Sequence, residues 1–130
     1  MVRKVIGVVA SFMMLAGSAG AAYASPNGVW ELETRDTRIQ LALCGDGTQM
    51  CGTLVWLSDA DYNQQYQRYL NAPVANGIKQ MGPNRWKGAM QLLGNNITGT
   101  ITQQSDTQMT LQGCALLVLC KTYKMFKYSE

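Results

Sequence analysis

Histidine is absent from this 130-residue chain, and its absence excludes several kinds of chemistry. Serine–histidine and cysteine–histidine nucleophilic pairs need an imidazole base, and many metal centres need imidazole ligands. Glycine-rich phosphate loops and a Gly-x-Ser-x-Gly elbow are missing as well. Asp59 and Asp61 are carboxylates two residues apart, but they stand at a predicted helix start, where carboxylates cap backbone N–H groups. The sequence therefore predicts no catalytic residue, no cofactor and no metal, and we do not expect an enzyme.

Long apolar stretches are scarce too. The uncharged apolar run at residues 5–16 is too short to cross a bilayer. It follows a basic start with Arg3 and Lys4, and it precedes Ala22-Tyr-Ala24, a small-x-small cleavage site. This order is typical of a secretory signal peptide, so we predict that residues 1–24 are removed and that the protein is periplasmic or secreted. Cleavage after residue 21 and a retained amphipathic anchor are the alternatives.

The remaining residues, 25–130, have the length of a single domain and an almost balanced charge. Nine basic side chains stand against eight acidic ones. A near-neutral chain gives no reason to expect nucleic acid or an anionic membrane surface as a partner, and no membrane span is predicted in this part. We expect a monomer whose partner is a small apolar ligand or another exported protein.

All four cysteines lie in the predicted mature chain, and an even number in an exported protein indicates disulfides. Cys44 and Cys51 bracket one predicted turn, and Cys114 and Cys120 bracket another, so these two local pairings are favoured. A long-range bond such as Cys51–Cys114 is an alternative. A zinc site of four thiolates is a further alternative, although the spacings are wider than those usual for zinc.

Period-two alternation of apolar and polar residues recurs along most of the chain, interrupted by Gly, Asp and Asn. It predicts about eight strands with no parallel crossover, at residues 28–34, 38–43, 53–57, 78–81, 85–92, 96–102, 107–112 and 121–128. Eight antiparallel strands suit an all-β, up-and-down barrel, because closure removes the sheet edges. A two-sheet sandwich is the alternative.

One segment departs from this alternation. Tyr62, Tyr66 and Tyr69 stand four and three residues apart, which places them on one face of a helix. Asn71 and Pro73 are expected to end it. One short helix or ordered loop thus interrupts the sheet. The tyrosines form a possible lid over a ligand at the barrel mouth, or they pack the helix onto the barrel.

Several short motifs together resemble the family called domain of unknown function 2147, secreted bacterial proteins with a small lipocalin-like barrel. The resemblance covers about residues 26–127 and is carried by GVW at 28–30, Cys44, CGTLVWL at 51–57, GPNRWKG at 82–88, LQGC at 111–114 and Cys120. Two segments depart from the family pattern, residues 89–93 and residues 124–127, where Lys127 replaces a closing arginine. The resemblance implies a fold and an exported location, but no established activity.

The three tryptophans are expected on strands. Trp30 is predicted to fill the barrel base, while Trp56 and Trp86 either line a ligand cavity or complete the core. The favoured hypothesis is an exported barrel that binds a small apolar or amphipathic ligand. The alternative is a protein-interaction module, such as an inhibitor of an exported protease whose N-terminal arm, residues 25–27, inserts into its target.

Overall fold

The computed structural model describes residues 24–59, 64–116 and 119–130, and this part of the chain folds as a closed antiparallel β-barrel. Its strands are β1 Gly28–Leu32, β2 Thr37–Cys44, β3 Gln49–Leu57, β4 Pro73–Gly82, β5 Arg85–Leu92, β6 Asn95–Gln103, β7 Gln108–Leu116 and β8 Leu119–Ser129. Each strand pairs with the next, and β8 pairs with β1. The predicted eight-stranded barrel is confirmed, and the closing β1–β8 ladder excludes the sandwich.

In the described residues between β3 and β4, helix is limited to a single turn, α1, which spans Gln64–Gln67. β4 begins at Pro73 rather than at Ile78. Pro73 therefore starts a strand, although the sequence pattern predicts that it ends a helix. The first position of a strand also tolerates proline, because the missing N–H is not needed there.

Because consecutive strands alternate in direction, the connections fall at two ends of the barrel. The turns at residues 45–48, 83–84 and 104–107 lie at one end, which we call the base, together with residues 24–27. The turns at residues 33–36 and 93–94 lie at the other end, together with residues 58–59 and 64–72, which we call the linker. Two backbone hydrogen bonds fasten the linker to Leu54 of β3. Leu54 N–H donates to Ala72 O at 3.1 Å, and Asn71 N–H donates to Leu54 O at 2.6 Å.

Trp30 fills the base of the barrel, as predicted. Its side chain is fully buried, and its indole N–H donates to the carbonyl of Pro26 at 2.8 Å. Lys127 Nζ lies 5.0 Å from the centre of the indole ring, which is cation–π geometry. The basic residue near the end of the chain therefore packs against the tryptophan near its start, where β1 meets β8.

Three glycines stand side by side on the inner wall. Gly88 pairs with Gly99, and Gly99 pairs with Gly113, so β5, β6 and β7 share one row without side chains. Neighbouring side chains occupy the space above this row. A methyl group added at Gly88 would lie 3.0 Å from Cγ2 of Ile78, one at Gly113 would lie 2.9 Å from Cδ1 of Ile97, and one at Gly99 would overlap the thioether of Met90.

The interior is accordingly apolar and tightly filled around the glycine row. Buried hydrophobic side chains from all eight strands form one cluster, and Trp30, Met50 and Met109 in it have no solvent-accessible surface. Methionine is well suited to this role, because its unbranched chain fills irregular gaps. The residues that face inward thus serve packing.

Both predicted disulfides are present. Cys44 and Cys51 join β2 to β3 with 5.9 Å between their Cα atoms, and Cys114 and Cys120 join β7 to β8 with 4.0 Å. All four thiols are used, so the long-range pairing and the zinc site are both excluded. Each bond closes a short ring, which stabilises the fold by about 2–3 kcal/mol in the chain-entropy model.

The glycine row makes a prediction about stability. Gly99→Ala should lower the free energy of unfolding by about 1–3 kcal/mol, because the added methyl forces the buried Met90 side chain to move. Gly82→Ala is the matched control, since nothing lies within 4 Å of a Cβ at that position. Urea unfolding of both variants checks this. Equal stability of the two variants would show that the inner wall has spare room.

Candidate functional site

The structure assigns separate roles to the aromatic residues that the sequence put forward as ligand-lining. Trp86 is buried, and its indole N–H donates to the carbonyl of Thr48 at 2.8 Å, which fastens the β2–β3 turn over the start of β5. Tyr62 lies outside the described residues. The remaining three, Trp56, Tyr66 and Tyr69, do not lie together.

Tyr66 and Tyr69 hold the linker against the barrel. Both are half-buried and pack against the hydrophobic core. The ring of Tyr69 reaches the β5–β6 turn, where a methyl added at Gly94 would lie 2.9 Å from Cζ of the tyrosine. The linker therefore bridges β3 and the β5–β6 turn at its end of the barrel. The spacing of Tyr66 and Tyr69 is thus explained by their packing against the barrel.

Trp56 lies on the outer face of the sheet, beneath an arginine. Arg38 pairs with Trp56 across β2 and β3, and its guanidinium carbon lies 3.9 Å from the centre of the tryptophan ring. The same guanidinium lies 3.7 Å from the ring centre of Tyr128. Arg38 Nε also donates to Glu31 Oε2 at 2.9 Å. One cation is thus held by two aromatic rings and one carboxylate.

This arrangement extends across four strands. Phe126 pairs with Glu31, Glu31 with Arg38, and Arg38 with Trp56, so the side chains form one outward row from β8 to β3, with Tyr128 beside it. We call Glu31, Arg38, Trp56, Phe126 and Tyr128 the aromatic patch. Phe126 is 44% exposed and Tyr128 is 54% exposed, while the side chains of Arg38 and Glu31 are each only 21% exposed. The patch combines a fixed, partly desolvated ion pair with accessible aromatic surface.

A groove of about 660 Å³ lies against β4, β5 and β6 and reaches β7. Six of its ten lining residues are solvent-exposed: Pro73, Asn76, Ala89, Gln91, Asn96 and Thr98. The small residues Ala89 and Thr98 pair with each other on the outer face, next to the glycine row of the inner wall. The groove carries no charged side chain, and Gln91 Nε2 donates to Asn96 Oδ1 at 2.9 Å along it. Its walls combine neutral amides and one hydroxyl with apolar side chains, among them Val74, Met90 and Ile97.

The N-terminal arm is fastened to the base. Pro26 is buried and its carbonyl accepts the Trp30 indole N–H, while Asn27 Oδ1 accepts the backbone N–H of Leu43 at 2.8 Å. Lys127 Nζ donates to the carbonyl of Ser25 at 3.5 Å. Residues 25–27 therefore lie along the barrel and are already engaged, which does not favour their insertion into a protease.

The β2–β3 turn lowers the pKa of one of its own side chains, Asp46. The hydroxyl of Thr48 donates to Asp46 Oδ1 at 2.6 Å and the Thr48 backbone N–H donates to it at 3.0 Å, and together they lower the pKa of this carboxyl below its ordinary 3.8. The carboxylate organises the turn that also supplies the carbonyl for Trp86. The ionised Asp46 side chain thus stabilises the conformation of the β2–β3 turn.

Within residues 24–59, 64–116 and 119–130, no cluster of three metal-ligating side chains is found. In the same ranges no helix is both long and apolar enough to cross a membrane. The aromatic patch and the groove are the surfaces that sequence reasoning missed as sites. The sequence pattern shows that side chains alternate between the two faces of each strand. It does not show which face is the outer one or which strands are neighbours, and the register supplies both.

A comparison with protein families gives one match. The family described as "Uncharacterized protein conserved in bacteria (DUF2147)" matches residues 28–127, which is most of the chain. No curated protein and no solved structure matches the sequence. The match begins at the first residue of β1 and ends two residues before the end of β8, so it covers nearly all of the barrel.

The β2–β3 turn yields a prediction about protonation. Thr48→Val removes the hydroxyl donor and should raise the pKa of Asp46 toward 3.8, whereas Thr48→Ser should keep it lowered. A lowered pKa in the folded state means that this carboxylate stabilises the fold above its unfolded pKa, and that the contribution is lost as the pH falls through the folded pKa. NMR titration of the carboxyl carbon measures both variants. Identical pKa values for the two would show that the hydroxyl is not the cause.

Proposed function

The chain belongs to the bacterial family DUF2147, and we propose that it is an exported, non-enzymatic barrel that binds a partner protein through its aromatic patch. Two disulfides are compatible with an oxidising compartment outside the cytoplasm, and the apolar N-terminal run supports export to it. The partner belongs to that compartment.

The filled interior directs this proposal to the outer surface. A barrel that carries a ligand inside needs inward space, but Ile78, Met90 and Ile97 cover the glycine row where such space would arise. Eight-stranded barrels are just wide enough for their own side chains to fill them. Binding at an outer face makes no demand on this packing.

The single observation that carries the proposal is the position of Arg38 between Trp56 and Tyr128. Arginine, tryptophan and tyrosine are the residues enriched at the energetic centres of protein interfaces. Here the guanidinium is fixed in advance by two rings and by Glu31, so little side-chain entropy remains to be lost on binding. The exposed surface of Phe126 and Tyr128 is available beside it.

Site-specific photo-crosslinking in the producing bacterium tests the proposal. A photoreactive amino acid at position 126 or 128 should capture one discrete partner, while the same group at Thr122, exposed on the same strand, should not. Arg38→Lys should reduce the yield at least about tenfold, because a lysine cannot stack as a planar guanidinium does. Arg35→Lys, in the exposed β1–β2 turn, is the matched control.

Three results would count against the patch. One is capture from position 122 as strong as from 128, and another is a yield that Arg38→Lys leaves unchanged. The third is capture of a second copy of this chain alone, which would make the patch a self-association surface rather than a site for a different protein.

A second candidate function is the binding of a small amphipathic ligand in the groove. Its volume of about 660 Å³ falls within the range of small-molecule sites, and its neutral amides and hydroxyl suit an uncharged polar group. This candidate keeps the ligand-binding hypothesis but places the ligand outside the filled interior.

Native mass spectrometry of protein purified without denaturation tests the groove. A retained adduct of a few hundred daltons is expected, and it should be lost in Ala89→Trp, whose indole fills the groove from an exposed position. Thr122→Trp, on an exposed site of β8, should retain it. An adduct that is retained in Ala89→Trp would show that the ligand binds outside the groove. Protein without any adduct would count against the groove as a ligand site.

A further inference from the structure

The almost neutral chain has strongly segregated charge. From residue 25 to residue 72 it carries three basic and six acidic side chains, whereas from residue 73 to residue 130 it carries six basic and two acidic. The second half forms β4 to β8, which is one continuous side of the barrel. Overall neutrality therefore conceals a basic side.

The basic charge is most concentrated at the β4–β5 hairpin. Lys79 and Lys87 are directly paired across the two strands, and Arg85 follows the turn two residues before Lys87. All three side chains are exposed. Met81 stands among them at a register shift between Gln80 and Gly82, and it is 61% exposed, the highest value among the large hydrophobic residues of the described chain. We call Lys79, Met81, Arg85 and Lys87 the basic tip.

This arrangement has a cost that nothing in the described residues offsets. Like charges directly opposite each other on neighbouring strands destabilise a sheet. None of Lys79, Arg85 or Lys87 forms an ion pair within the described ranges, where the only pairs are Arg38 with Glu31 and Lys127 with Glu130. The hairpin is nevertheless held firmly, because Trp86 donates to Thr48 O and Gln103 N–H donates to Asn84 O at 2.8 Å.

The acidic residues of the neighbouring base turns do not pair with the tip. Asp46 accepts two hydrogen bonds from Thr48 within its own turn. In the described residues, no carboxylate lies within ion-pair distance of Lys79, Arg85 or Lys87. An external anionic surface would supply negative partners for these three cations.

We propose that the basic tip docks the barrel on the surface of an anionic phospholipid bilayer. A cluster of basic side chains around an exposed apolar residue matches such a surface, because the cations meet the headgroup phosphates while the apolar side chain enters the interface. The tip lies on β4 and β5, and the aromatic patch lies on the other strands β8, β1, β2 and β3. The two surfaces therefore share no residue.

Flotation of the purified protein with vesicles tests the docking. Binding is expected to phosphatidylcholine vesicles containing about one-third phosphatidylglycerol, to weaken at high salt, and to be absent with phosphatidylcholine alone. The double variant Lys79→Gln with Lys87→Gln should bind about 25-fold more weakly, since each basic side chain near an anionic surface contributes about fivefold. It also removes the like-charge pair, so its fold should be no less stable.

Matched variants separate the tip from net charge. Lys121→Gln with Lys124→Gln removes two exposed charges from β8 and should change binding less than about twofold if the tip is the contact. Met81→Ser should weaken binding about threefold or more, whereas Leu119→Ser, equally exposed at the other end of the barrel, should not.

Several outcomes would overturn the proposal. These are no binding to the anionic vesicles, equal binding to neutral vesicles, and equal loss in the two lysine pairs. Binding of the soluble polyanion heparin with the same dependence on Lys79 and Lys87, without vesicle binding, would assign the tip to a polymer instead. The crosslinking result at the aromatic patch stands independently of each of these.

Discussion

The row of Gly88, Gly99 and Gly113 is the constraint on which the rest of the structure depends. Without side chains on three neighbouring strands, the inner wall leaves room for large residues from β4, β5 and β6, and these residues fill it. A small barrel gains its stability from such filling, because a chain of this length buries only about two thirds of its unfolded surface. The two disulfides add to a core that is limited in size rather than replacing it. The inward side chains therefore serve the stability of the fold.

Function is consequently expected on the outside, and the outer surface is uneven. The side formed by β8, β1, β2 and β3 concentrates aromatic rings around an ion pair, whereas β4 and β5 carry uncompensated positive charge at their tip. A neutral groove lies between β4 and β7. In a barrel closed by eight hairpin-linked strands, such faces point in different directions and are held rigidly. The molecule can thus contact two surfaces at once without any internal movement.

Much of this fold could be predicted from the sequence, because the deciding signals are local. Alternation, turn residues and the even cysteine count led to eight strands, a barrel and both disulfides. The start of β4 was missed because proline serves helix ends and strand starts alike. The aromatic patch and the basic tip, in contrast, could not be predicted, because they depend on which residues are paired across neighbouring strands. The sequence leaves Trp56 as either a cavity or a core residue, and only its pairing with Arg38, and that of Glu31 with Phe126, places it in an outer patch. Likewise, Lys79 and Lys87 are unremarkable until the hairpin sets them opposite each other.

The contact between Lys127 and Trp30 has a consequence for how the chain acquires its structure. β1 and β8 are neighbours in space but stand at opposite ends of the barrel sequence, so their ladder is the least local pairing in the fold and closes at the largest entropic cost. The hairpins that carry the disulfides need only short loops and can form before the ladder between β1 and β8 closes. Until β8 is in place, β1 offers an unpaired edge on which another chain could stack. The interval between the first hairpin and the last strand is thus the period in which this protein is most open to aggregation.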